Sequence, residues 1–348
     1  MIGAPALDIS DIIPFDNYDI GILDRPGLPG FRDLAQQAIR GELDLSLGGI
    51  LNGGIQLIFG EFMASTQLLR QLLIIAILGA LMSCLTEAFT HKSAGELGFY
   101  VTFLMAVVLA ISSFYMSVQI LNGVVGLVSN IMLASIPLML GVMAVSGNIV
   151  GAASFHPLMF FALQLVVRFI SAVYVPLILA SAGLDLVNHM SETVKLDKLA
   201  EILRKVAEWT LKGILALFAL LLTLQRFSAP IMSNMALRTT HSAVGAIPVV
   251  GSALTAAMDT VTHFGSVARS GVLVALVIVL CITLATPLIK LFVLSLIFRL
   301  TAGLIQPVAD RRLVRCMDSA ALHMGQLFYA AALVGVVCVY SVVILLSF

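Results

Sequence analysis

Charge is scarce in this sequence. Asp, Glu, Lys and Arg make up only 11% of its 348 residues, while 60% are hydrophobic. A soluble domain carries about 25% charged and about 45–50% apolar residues. So much apolar surface cannot be covered by so few polar side chains in water, which excludes an ordinary soluble domain and points to a bilayer. Cysteine is also rare. Cys84, Cys281, Cys316 and Cys338 form no CxxC pair, so they read as small apolar fillers rather than metal ligands. No GxxxxGK[ST] run offers a P-loop and no GxSxG run offers a hydrolase nucleophile. The six histidines, His91, His156, His189, His241, His263 and His323, lack ligand spacing. Nothing reads as an enzyme active site or a cofactor site, so neither an enzyme nor a cofactor is expected. Net charge is zero, which gives no reason to expect nucleic acid as a partner. No basic segment followed by an apolar run opens the chain, so no secretory signal is visible.

What charge there is lies unevenly. Met1 to Glu61 holds nine acids against Arg25, Arg32 and Arg40. Residues 1–66 therefore read as an acidic, loop-rich, non-cytoplasmic region, ending in the short glycine-rich stretch "SLGGILNGGIQLIFGEF", an interfacial helix. Residues 67–348 read as a multi-span membrane domain. Apolar runs near the roughly 20 residues that cross a bilayer fall at about Leu68–Phe89, Leu97–Leu121, Gly123–Val145, Pro157–Gly183, Leu211–Phe227, Val272–Thr286, Leu288–Leu304 and Leu327–Leu346. Asn122 and Gly123 mark a tight junction. Pro287 marks either a short turn between two tilted helices or a kink within one. The expected fold is all-α: a polytopic helical bundle of about seven to eight spans.

Two segments depart from plain spans. Residues 192–209 place Leu196, Leu199, Leu203 and Val206 on one helical face among lysines and glutamates, the pattern of an amphipathic helix lying on the membrane or against a partner. Residues 229–266 carry no formal charge between Arg238 and Asp259 and are rich in small residues around "GAIPVVGSALTAAMD". A re-entrant hairpin and a weakly hydrophobic span both satisfy that composition. Lysine and arginine counts in the loops favour the re-entrant form, with the acidic tail outside, Lys92 and the Arg311, Arg312 and Arg315 loop inside, and the amphipathic helix outside.

Ionisable residues inside spans are costly and are retained for a purpose. Arg168, Lys290 and Arg299 are the candidates, against the simpler reading that each snorkels to an interface. Gly245, Pro248, Gly251 and Asp259, with Arg168, form the candidate pathway. Broken backbone at membrane depth survives where it lines a cavity; the plainer reading is a helical corner packed by small residues.

The run "RTTHSAVGAIPVVGSALTAAMDTVTHFGSVARSGVL" resembles the centre of the stage III sporulation protein AE family of endospore-forming bacteria. The order of elements matches too, from the acidic start "GLPGFRDLAQQAIRGELDLSL" through the charged helix before the tryptophan to the final span. The resemblance covers nearly the whole chain. It implies a permease-like membrane subunit of a channel or secretion complex that the mother cell builds in the membrane around the forespore. It implies partners as well: other subunits of that complex, an associated ATPase, and a forespore membrane protein reached across the intermembrane space. The start "MIGAPALDIS" departs from the signal-like opening usual in the family. A stand-alone secondary transporter and a non-conducting scaffold are the alternatives.

Overall fold

The computed structural model describes residues 55, 58–88, 92–146, 160–190, 196–245 and 251–347, and these are almost entirely helical. The short helix α1, Ile58–Ala64, is bent by 47° from the start of α2, Thr66–Ala88. Then come α3, Lys92–Ser146, and α4, which runs from 160 to Met190 and contains a π-helical turn at Ile170–Tyr174. The long helices α5, Asp197–Gly245, and α6, Gly251–Ile305, lead to α7, Arg311–Ser347.

Among the described residues four helices are long and apolar enough to cross a membrane: Tyr100–Ile131, Phe160–His189, Leu280–Ile305 and Arg311–Val343. The bent pair of α1 and α2 would make five. The described residues therefore do not confirm the expected seven to eight separate spans, and two reasons are visible. The junction expected at Asn122–Gly123 is not a break, because α3 runs through it. One glycine costs a helix only about 1 kcal/mol relative to alanine. Leu121 and Val124 on either side are fully buried and hold the helix in place, while Asn122 and Gly123 face outward. Pro287 likewise sits inside α6, which continues through it, so the single-helix alternative holds and the two-helix one does not.

Two apolar cores stack along the bundle. One joins Leu72 and Ile75 of α2, Phe103 and Ala106 of α3, Ile297 of α6 and Met317 of α7. The other joins Leu121 and Val128 of α3, Leu163 and Ile178 of α4, Phe218 of α5 and Val334 of α7. α7 packs against α3, α4, α5 and α6 and is the most enclosed candidate span. Small residues let the helices approach closely. A Cβ on Gly79 would come within 3.3 Å of Thr102 Oγ1, and one on Gly325 within 3.2 Å of Ser295 Oγ. On the outside, Ile74, Ile77, Val101, Leu104 and Val108 of α2 and α3 are exposed. Such an apolar exterior requires lipid or another protein against it.

Candidate functional site

Asp185 and His323, a buried titratable pair among the described residues, meet toward one end of the bundle. Asp185 lies near the C-terminal end of α4 and is buried. Its Oδ2 accepts from Arg204 Nη2 of α5 at 2.8 Å, from His323 Nε2 of α7 at 2.8 Å and from Ser319 Oγ of α7 at 3.1 Å. One carboxylate oxygen thus ties three helices. His323 Nδ1 is buried without a partner among the described residues.

A second tie runs one level deeper. The π-helical turn of α4, where Val175 N–H bonds to the Ile170 carbonyl, aims Tyr174 inward, and its hydroxyl donates to the Gln326 carbonyl of α7 at 2.9 Å. Such turns recur at functional sites because they re-aim one side chain within a helix. Hydroxyls fasten the same helices elsewhere: Ser181 Oγ donates to the Ala200 carbonyl at 3.2 Å, and Ser295 Oγ to the Ala321 carbonyl at 2.8 Å. The start of α5 is capped from the preceding helix, with Asn188 Oδ1 accepting from Leu196 N–H at 2.9 Å.

Beside this cluster lies a cavity of about 600 Å³ walled by α4, α5, α6 and α7. Arg204, Glu208, Lys212, Arg299 and Gln326 supply its polar groups. Gln326 is 5% exposed, and among the described residues neither its Nε2 nor its Oε1 has a hydrogen-bond partner; Arg204 Nε is likewise buried without a partner among them. Each such atom costs about 1–3 kcal/mol if left unmet, and all three are sealed in the packing rather than facing the cavity. Among the described residues no group of three or more His, Cys, Asp or Glu is placed to hold a metal ion.

The residues singled out from sequence sit elsewhere. Arg168 is exposed on the outside of α4 and does not join the cluster. Arg299 is exposed at the rim of the cavity, and Lys290 Nζ lies 3.9 Å from Glu61 Oε1. Gly245 ends α5 and Gly251 begins α6, while Pro248 lies outside the described residues. Asp259 stands in the third turn of α6, its side chain outside the described set. Of the amphipathic face, Leu199 and Val206 are exposed, but Leu196 and Leu203 are half-buried. The exposed apolar row is Leu199, Ile202, Val206 and Trp209, while Ala200 and Ala207 pack inward. On the polar flank Lys205 Nζ donates to Glu201 Oε1 at 2.8 Å and Lys198 lies 3.5 Å from Glu201 Oε2. The Lys205 hydrogen bond, and then its charge, hold the Glu201 carboxyl below its usual range.

Sequence reasoning passed over Asp185, Ser319, His323 and Gln326. Asp185 carries no motif of its own, and His323 reads only as one of six histidines without ligand spacing. Their 138-residue separation leaves no local spacing to read. The available signal was a single acid inside "LILASAGLDLVNHM", since a lone carboxylate in an apolar run needs a partner.

These helices and their apolar exterior define an α-helical membrane protein whose polar groups are gathered between spans. The matching family model, Stage III sporulation protein AE, covers residues 30–348. The chain belongs to that family. A curated relative, Stage III sporulation protein AE of Bacillus subtilis (strain 168), is 29% identical over 311 residues, covering 89% of this chain and 78% of that protein. No solved structure matches.

Proposed function

We propose that this sporulation-family membrane protein is a multi-pass, non-enzymatic subunit of the channel or secretion complex joining mother cell and forespore, needed for late forespore development. In this reading it sits in the mother cell-derived membrane around the forespore. It assembles there with other subunits, an associated ATPase among them, and meets a forespore membrane partner through the complex. Family membership over residues 30–348 is the observation that carries the reading. The Gly- and Pro-containing sequence "GAIPVVGS", between the described end of α5 at Gly245 and the start of α6 at Gly251, supports a conduit element there, with Pro248 and Asp259 as parts of it.

The experiment is deletion of the gene. Growth should be unaffected, and sporulation should stop after engulfment, with late forespore gene expression lost. Normal spore yield would overturn the reading.

One observation favours a second reading, a stand-alone secondary transporter. Asp185 is a buried acid within a candidate span, the kind of group that proton coupling uses. Against it, the carboxylate is held by Arg204, His323 and Ser319 on one oxygen, which suits a fixed brace better than a site that loads and releases a proton. Proton-driven uptake by the purified protein alone in vesicles, abolished by Asp185→Asn, would favour the transporter.

A further inference from the structure

We infer that Cys281 of α6 and Cys338 of α7 form a dithiol–disulfide latch, which a disulfide oxidant on the non-cytoplasmic side closes to pin the part of α6 before Pro287 against α7. The argument begins with register. α6 and α7 are packed neighbours joined by a short turn, so they run antiparallel. Ser295 faces Gly325, where an added Cβ would lie 3.2 Å from Ser295 Oγ. Further along, Leu284 and Leu288 face Gly335, where an added Cβ would lie 3.4 and 4.0 Å from their side chains. Three residues beyond Leu284 on α6 is Cys281, and three residues beyond Gly335 on α7 is Cys338. Both steps run the same way along one seam. Ser295, Leu288 and Cys281 also follow one another at intervals of seven, the repeat that keeps residues facing a packed neighbour. Cys338 is buried in the same core as Leu280 and Leu284, and Cys281 is exposed at the edge of the seam. Both are free thiols, and charge on Cys281 is felt at Cys338.

An open thiol with a second one sealed beside it is the arrangement of an attacking and a resolving cysteine. The sulfur of Cys281 attacks the oxidant RSSR, bonds to one of its sulfurs and expels the other as RSH. The sulfur of Cys338 then displaces the second RSH and bonds to Cys281. The two cysteines give up two electrons and two protons, and the two RSH carry them away. Position supplies the oxidising side. From Ile305 back to Cys281, α6 covers about 36 Å at 1.5 Å per residue, more than the roughly 30 Å hydrocarbon layer. The thiols therefore lie toward the end away from the Ile305–Arg311 turn. Arg311, Arg312 and Arg315 mark that turn as cytoplasmic, and disulfides persist outside the cytoplasm. Pro287, inside α6, gives the latch something to hold. A proline offers no N–H to the carbonyl four residues earlier, so α6 is weakest just beyond Cys281, and a bond to α7 fixes the part that a bend there would release.

The test uses the full-length protein in neutral detergent, with Cys84→Ser and Cys316→Ser leaving only the two thiols in question. It is treated with oxidised glutathione and its intact mass is measured. The mass should fall by two hydrogens with no glutathione attached, both thiols should become unreactive to maleimide together, and dithiothreitol should restore both. The thermal midpoint should rise by about 5 °C on oxidation and return on reduction. Cys281→Ser in the same background should leave Cys338 reduced, because the sealed thiol has lost its attacking partner. The control combines Cys338→Ser with Val336→Cys, which moves the thiol to an exposed position of α7; it should gain glutathione instead of closing a ring. Circular dichroism and a single monodisperse peak establish folding. Where the serine background does not fold, peptide mapping of the oxidised four-cysteine protein gives the same readout. Glutathione left on Cys281 beside a free Cys338, a disulfide-linked dimer, no reaction at either thiol, or equal ring closure in the Val336→Cys control overturns the inference.

Discussion

The carboxylate of Asp185 gains most of its bonds from the other helices, so its removal acts on the assembly of α4, α5 and α7 together. Asp185→Asn keeps the shape but leaves the half-buried Arg204 guanidinium without its counter-charge. Stranding one partner of a buried pair costs about 3–5 kcal/mol, and the partial exposure of Arg204 places this case near about 2–3. Thermal unfolding in detergent should therefore show a clearly lower midpoint for Asp185→Asn. Glu201→Gln serves as the contrast. Its carboxyl pKa is lowered by Lys205, so any stability from that pair is present above the unfolded carboxylate value and lost as pH falls through the lowered one. The pair is fully exposed to water, and the midpoint at neutral pH should not move measurably. A smaller loss, about 1 kcal/mol, is expected for Gly325→Ala, whose Cβ would press on Ser295 Oγ and weaken its bond to the Ala321 carbonyl. Gly335→Ala meets Leu284 at an ordinary 3.4 Å and should be nearly neutral. Equal midpoints for all four variants would mean that the cluster contributes nothing to helix association. These residues were poorly legible in the sequence because their chemistry is tertiary: no spacing along one helix encodes a carboxylate shared among three.

At the scale of elements, periodicity was informative and breaks were not. The amphipathic start of α5 was plain from its leucines and lysines, and it does run without interruption into an apolar stretch. Which leucines face outward was less plain, because α4 covers part of the same face through Ser181 and Ala200. Leu203→Asp would therefore disturb the bundle as well as any docking surface. Leu199→Asp with Val206→Asp tests the surface alone, since both side chains are exposed. This pair should leave folding intact and weaken assembly with partner subunits, read as loss of co-purification at normal membrane abundance. Undiminished co-purification would show that this face contacts only lipid. The Asn122–Gly123 junction fails, and the single-helix alternative at Pro287 holds, for a common reason: local propensity is worth a kilocalorie or a few, and burial of the flanking Leu121, Leu284 and Leu291 outweighs it.

Those two breaks matter most for the whole molecule, because each merged pair removes one crossing and inverts everything after it. Reading two spans at 97–145 and two at 272–304 placed the amphipathic helix and the Arg311 loop on opposite sides. The structure corrects this. Asp185, near the end of α4, bonds both Arg204 of early α5 and Ser319 of early α7, so the 190–197 connection and the Ile305–Arg311 turn lie at the same end. The position of Gly79 between Thr102 and Leu313 brings the turn between α2 and α3, and Lys92 with it, to that end as well. Lys92, the bases of 195–205 and the Arg311, Arg312 and Arg315 cluster then share one side. The connection 147–159 at the other end carries no Asp, Glu, Lys or Arg. This is the distribution that the excess of lysine and arginine in cytoplasmic loops demands, and it emerges without placing any segment by its charge. The acidic residues 1–61 are accordingly expected on the opposite, non-cytoplasmic side. At about 80 Å, α3 and α6 exceed the roughly 30 Å hydrocarbon layer, so their far portions belong outside it or inside other protein. Single cysteines in a background lacking the four native ones test the arrangement with a membrane-impermeant maleimide. In vegetative cells induced to express the protein, where its non-cytoplasmic face meets the medium, Ser10→Cys should label without permeabilisation. Ser191→Cys and Gln306→Cys should label only after permeabilisation, and to the same extent as each other. Labelling of positions 191 and 306 from opposite faces would break the shared-end packing of α4, α5 and α7, and labelling of all three from one face would place the acidic tail inside.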